Sequence, residues 1–187
     1  GEAVYSGLGE KLKGRMPWLI ISAVMMLPAT YIVLRFESLI REVALLAVCM
    51  PLIAALAGNA GHQALAVTLR GIVLDEVRRD RIFPLIRREL FVGLIAGISI
   101  GGIVMLVLWM FGDSQLATRL GVIFALAMVT SMGVGTLTGA SIPLLMRRFG
   151  ADPAQASAIF LVMVTDAVAF STLLGFAAWS IHWMQGT

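Results

Sequence analysis

The chain has 187 residues, 59% of them hydrophobic and only 13% charged. Soluble domains are about half apolar and about a quarter charged, so this composition sets an integral membrane protein with little soluble mass. The formal net charge is +3, but the basic residues cluster at the ends of apolar runs. There they set topology rather than form a nucleic-acid surface. The single cysteine, Cys49, excludes an intrachain disulfide and a cysteine-based metal site. No cleavable signal peptide is evident. Gly1 stands where an initiator Met is expected, which leaves room for a soluble part ahead of it.

Residues 1–16 form a cytoplasmic approach segment, mostly basic from Glu10 to Arg15. A five-helix membrane domain occupies 17–187, with helices expected at about 17–34, 40–69, 89–111, 120–146 and 154–184. Each run approaches or exceeds the roughly 20 residues that cross a bilayer. Pro17 and Trp18 open the first run, where a proline's missing N–H has no intrahelical partner to lose. Trp18 fits an interfacial anchor. Pro28 kinks this run, and Arg35-Phe36-Glu37-Ser38 makes a polar turn.

The second run is interrupted. Pro51 frees the carbonyl of Ala47, and Gly58-Asn59-Ala60-Gly61-His62-Gln63 is a polar, glycine-bearing patch at membrane depth. If the patch is helical, Asn59, His62 and Gln63 share one face at i, i+3 and i+4. If it is unwound, its carbonyls are exposed, which is tolerated only against protein or water. The expected fold has this second helix broken. His62 has no second His, Cys or nearby carboxylate, so it is not a transition-metal site. The alternative for Asn59 and Gln63 is interhelical hydrogen bonding.

Arg70 to Arg88 is the largest polar loop, with six arginines and Pro84, and has room for a short surface helix. Glu89 opens the third run beside Arg87 and Arg88, as a solvated or paired charge, with a role at a pathway mouth as the alternative. Gly93, Gly97 and Gly101 make a small-xxx-small packing face. After the turn Gly112-Asp113-Ser114-Gln115, the fourth run carries the small and hydroxyl residues that join membrane helices, among them Ser131, Gly133, Gly135, Thr136 and Gly139. Pro143 kinks its end. Asp152 and Pro153 look like the N-cap and first position of the fifth run.

Asp166 is the only acidic residue between Ala154 and Met184. A carboxylate at the centre of a spanning helix costs about 2.5–3.5 kcal/mol by insertion scales. No Lys or Arg lies within the other apolar runs to offset it, which leaves an ion, a proton or water, and points to an ion pathway; the alternative is a carboxyl kept protonated and hydrogen-bonded in a helix interface. Alternation of sides puts Lys11, Lys13, Arg15, Arg70, Arg78, Arg79, Arg81, Arg87, Arg88, Arg147 and Arg148 on one side. Arg35, Arg41 and Arg119 fall on the other. This bias makes the first side cytoplasmic, with the N-terminus inside and the C-terminus outside. Five spans cannot divide into two equal inverted repeats. No catalytic pair is present, so an enzyme is not expected.

Three stretches taken in order carry a resemblance: Met50-Pro51 followed by Ala57 to Ala64, Gly139 to Leu145 with Arg147 to Ser157, and Thr165-Asp166-Ala167-Val168-Ala169-Phe170. They resemble the transmembrane domain of the MgtE family of magnesium channels and their eukaryotic solute-carrier relatives. Arg15-Met16-Pro17-Trp18-Leu19 is similar to the start of that family's first helix. The resemblance implies a homodimer in the cell (inner) membrane, with the pore at the subunit interface lined by the second and fifth helices. It implies Asp166 as the central Mg²⁺ ligand, once from each subunit, with Gly58, Asn59, Gly61 and Gln63 near the pore. The amide oxygen of Asn59 and the carbonyl of Val162 would complete the outer shell of a hydrated ion, Gly58 is a further metal-site candidate, and Thr165 and Ala169 are further pore-lining candidates. The chain departs from the family at Ala158-Ile159, where Asn-Pro is usual, at Ala169, where Gly is usual, and at His62, where a smaller polar residue is expected. The family's cytoplasmic regulatory domains are not within these 187 residues, so either they belong to a part outside this sequence or the pore is gated otherwise. Two alternatives are a proton- or sodium-coupled divalent cation transporter and a membrane scaffold that transports nothing.

Overall fold

The structure is a computed structural model and describes residues 7–111, 115–150 and 153–185. Every regular element in these residues is helical. Five helical segments are long and apolar enough to cross a membrane: Leu8–Arg35, Leu45–Val73, Ile82–Met110, Thr118–Arg148 and Ala156–Ser180. The protein is an all-α membrane protein.

The first span is two helices, α1 (Leu8–Met25) and α2 (Leu27–Arg35), separated at Met26. The break stands two residues before Pro28, whose ring cannot continue the preceding hydrogen-bond ladder. Because α1 begins at Leu8, Pro17 stands inside the helix rather than in its first turn. The polar turn after Arg35 is the single residue Phe36, followed by the short α3 (Glu37–Glu42). Arg41 and Glu37 form an exposed i,i+4 ion pair there at 2.6 Å.

The second span, α4 (Leu45–Val73), corrects the expected break. The helix runs without interruption through Pro51 and through Gly58–Gln63. The interruption in the second run lies earlier, at Val43 and Ala44, between α3 and α4. Asp75, just past the end of α4, takes a left-handed backbone (φ 53°) that Asp tolerates better than most residues. The basic linker holds only a 3₁₀ turn, Arg79–Arg81. The third span, α5 (Ile82–Phe111), starts seven residues before Glu89 and places Pro84 in its first turn. The last two spans are α6 (Gln115–Arg148) and α7 (Pro153–Gln185). The Asp152 cap and most of the 112–115 turn lie outside the described residues.

α6 is the centre of the molecule and packs against α4, α5 and α7. Its small residues permit this. The glycine face of α5 meets it so closely that a Cβ on Gly97 would lie 2.6 Å from Val129 Cα, and one on Gly101 2.9 Å from Ala125 Cα. The core between α4, α6 and α7 contains Leu46, Ile53, Phe124, Met128, Leu173 and Leu174, all essentially inaccessible. Ser131 on α6 and Thr172 on α7 share a hydrogen bond of 3.1 Å. Such a pair contributes about 0.6 kcal/mol in a membrane. The first span is peripheral: among the described residues α1 buries none, and it packs mainly on α7 and α2.

The tightest contact joins α4 to α6, where a Cβ on Gly139 would run into the Gly61 carbonyl oxygen and lie 3.1 Å from the Leu65 nitrogen. Backbone atoms cannot rotate away. We therefore expect Gly139→Ala to destabilise the fold by about 1–3 kcal/mol, as overpacking does. Gly102→Ala, whose Cβ meets nothing within 4 Å, should leave it unchanged. Thermal unfolding of the two variants in detergent, followed by loss of the monodisperse elution peak, measures the difference.

Candidate functional site

The middle of α4 has two unlike faces. Ala57, Ala60, Gly61, Ala64 and Leu65 are buried against α6 and α7. Asn59, His62 and Gln63 are exposed on the opposite face. The patch is helical, so these three do share one face, as the spacing i, i+3, i+4 requires. Gly61 fixes which face points out. A Cβ there would sit 2.7 Å from Leu161 Cδ1 and 2.8 Å from the Gly135 carbonyl oxygen. Only a glycine lets α4 lie this close to α6 and α7. The rotation that buries Gly61 exposes Asn59 and Gln63.

His62 Nδ1 lies 2.8 Å from the Gly58 carbonyl oxygen. A carbonyl only accepts, so Nδ1 donates. Nε2 of the neutral ring is left as an acceptor on the exposed face.

α7 supplies Asp166 near the middle of its span, half-buried, with Val162 half-buried one turn earlier. Thr165 and Ala169 are 1% and 0% exposed. They lie on the stripe that α7 turns into the protomer, together with Leu161 and Leu173. Of the pore-lining candidates, Thr165 and Ala169 thus face other helices of the same chain. Gly61 is likewise packed between Leu161 and Gly135. Gln63 and Asn59 remain on an open face. Gly58 is half-buried where α4 crosses α7, and a Cβ there would meet only Thr165 Oγ1, at 3.9 Å.

The Thr165 hydroxyl lies 3.0 Å from the Leu161 carbonyl oxygen and 3.1 Å from that of Val162. It has one proton for two acceptors. While it donates to Leu161, the Val162 carbonyl keeps a lone pair beyond its helical bond.

Among the described residues, no group of three or more His, Cys, Asp or Glu is placed to hold a metal ion. Asp166 therefore stands without a second such side chain in a cluster among the described residues. Glu89 is the acidic residue that the sequence placed at a helix end. It lies well inside α5, half-buried, and lines a cavity with Asn59 and Gln63. Pro84 was the available signal, because a proline favours the first turn and so moves the helix start ahead of Glu89.

A family model described as MgtE, divalent cation transporter, matches residues 50–176, which include Asn59, Gln63, Glu89 and Asp166. The chain is 36% identical over 152 residues to a protein named magnesium transporter MgtE from Enterococcus faecalis, covering 81% of this chain and 33% of that protein. It is 30% identical over 172 residues to one of the same name from Bacillus subtilis, covering 90% and 37%. A third, from Thermus thermophilus, is 28% identical over 181 residues, covering 94% and 39%. The chain spans between a third and two fifths of the length of these curated relatives.

Gly58 and Gly61 of α4 separate packing from access. Gly61→Ala should lower the unfolding temperature, because its Cβ meets the backbone of Gly135. Gly58→Ala should not, because 3.9 Å is ordinary contact. Equal melting curves for the two variants would contradict this geometry.

Proposed function

Because this chain belongs to the MgtE family of divalent cation transporters, we propose that it conducts hydrated Mg²⁺ passively across the cell membrane. The pore lies between two copies of the chain and is centred on Asp166. One observation carries this reading. Asn59, His62 and Gln63 near the middle of α4, and Asp166 near the middle of α7, are left wholly or partly uncovered by the rest of the protomer. Polar groups at that depth are stable only against protein or a water-filled cavity. A second copy facing this side, with water between, provides both.

Mg²⁺ dehydrates reluctantly and usually keeps several waters. One carboxylate per chain suits such an ion, because the protein need not replace its inner shell. Two Asp166 carboxylates across a dimer axis supply the charge. Asn59 and the Val162 carbonyl accept hydrogen bonds from the ion's waters. The relatives named magnesium transporters support the choice of ion. The basic ends of the spans face the cytoplasm. Inward movement then needs no coupled reaction: a dication crossing 100 mV gains about 4.6 kcal/mol, twice the roughly 2.3 kcal/mol per charge.

The test is Mg²⁺ uptake into liposomes at an imposed membrane potential, with and without proton and sodium gradients. Uptake should follow voltage, ignore both gradients, and fall in Asp166→Ala to the background of empty liposomes, while that variant still elutes as a folded dimer. Uptake that requires a gradient would make the protein a coupled transporter. Full uptake by Asp166→Ala would remove Asp166 from the pathway.

A further inference from the structure

Glu89 lies seven residues beyond the start of α5, which at 1.5 Å per residue is roughly 10 Å into the helix. It is half-buried and forms no salt bridge among the described residues. Arg87 and Arg88, its neighbours in sequence, are exposed, and neither lines the cavity that Glu89 lines. A half-buried carboxylate in a cavity wall without a basic partner calls for another companion.

That cavity, about 500 Å³, opens between α4, α5 and α6. Its polar groups are Glu89, Asn59, Gln63 and Thr136, and the rest of its wall is apolar. The Thr136 hydroxyl donates to the Gly133 carbonyl at 3.2 Å, so it offers only lone pairs to anything else. The cavity thus combines one carboxylate with amide and hydroxyl oxygens, and has no Lys, Arg or His. Oxygen donors of this kind suit hard cations such as Mg²⁺ and Mn²⁺. Six waters at about 30 Å³ each occupy about 180 Å³, so an ion fits there with its hydration shell intact. A lipid chain would leave the carboxylate without a partner.

We propose that this cavity is a second station for a hydrated divalent cation, held through its waters by Glu89, Gln63 and Asn59. It lies toward the basic end of the spans from the middle of α4, because Gln63 is one turn nearer than Asn59 to the Arg70–Arg88 linker. The inference deepens the pore reading above and rests on it. It adds α5 to the helices that contact the ion and makes Asn59 common to both stations.

The probe is Mn²⁺, followed by its free-ion electron paramagnetic resonance signal, titrated into the chain in phosphatidylcholine nanodiscs. In Asp166→Asn protein, one Mn²⁺ per chain should still bind. Adding Glu89→Gln should weaken that binding by about 10-fold or more, the range seen when groups around a metal shell are lost. Glu89→Asp in the same background should retain most of it, and Mg²⁺ but not K⁺ should displace the Mn²⁺. Equal titrations for Asp166→Asn with and without Glu89→Gln, in proteins of equal elution profile, would overturn the station. So would displacement by K⁺. Liposome uptake by Asp166→Asn alone keeps the two readings separable. Uptake equal to the unsubstituted chain would overturn the Asp166 pore, while the Mn²⁺ titration still decides Glu89.

Discussion

The contact on which the arrangement depends is backbone against backbone. Gly61 of α4 meets Gly135 and Gly139 of α6, and Leu161 of α7 closes over it. Between helices in a membrane there is no hydrophobic driving force, since lipid tails are as apolar as leucine. Close van der Waals approach and a few hydrogen bonds must hold the bundle instead. Glycine gives that approach here, and it also sets the rotation of α4. The same turn of helix buries Gly61 and presents Asn59, His62 and Gln63. Packing and polarity on α4 are therefore one decision and cannot be altered separately.

Much of this was legible in the sequence. Apolar runs gave five spans, because the bilayer sets a minimum length that few other segments meet. The glycines at spacing four on α5 announced a packing face, and that face meets α6. The glycines of α4 were misread as a break. Glycine serves an unwound turn and a tight helix contact equally well, and only the partner backbone distinguishes the two. The faces of α7 were also hidden. Its residues are apolar around nearly the whole circumference, so the sequence offered no periodicity to say that Thr165 and Ala169 turn inward while Asp166 stands at the edge. Composition identifies such a span but does not orient it.

The protomer divides into a tight part and a loose one. α4 and α5 are joined to α6 through close glycine contacts, and α7 packs on them through side chains such as Leu161 and Thr172. Interiors packed this closely are not continuously deformable. The first span is different. It is broken at Met26, buries little, and rests mainly on α7 through α2. Any change in the uncovered polar face must come from movement of this block as a unit against what covers it.

The carboxylates then set the electrical problem. A charge in the bilayer centre costs about 2.5–3.5 kcal/mol by insertion scales, and the block supplies no cationic side chain at mid-span to offset it. A protein that only needed stability would place Asn or an apolar residue at 166. Retaining an acid there calls for one of the companions that the sequence leaves open, an ion, a proton or water; the pore proposed above takes the ion. In that proposal an ion bound too tightly would not leave, so water-mediated contacts to single carboxylates suit it better than an inner-shell cage. Among the described residues no group of three or more His, Cys, Asp or Glu is placed to hold a metal ion, which agrees with that proposal.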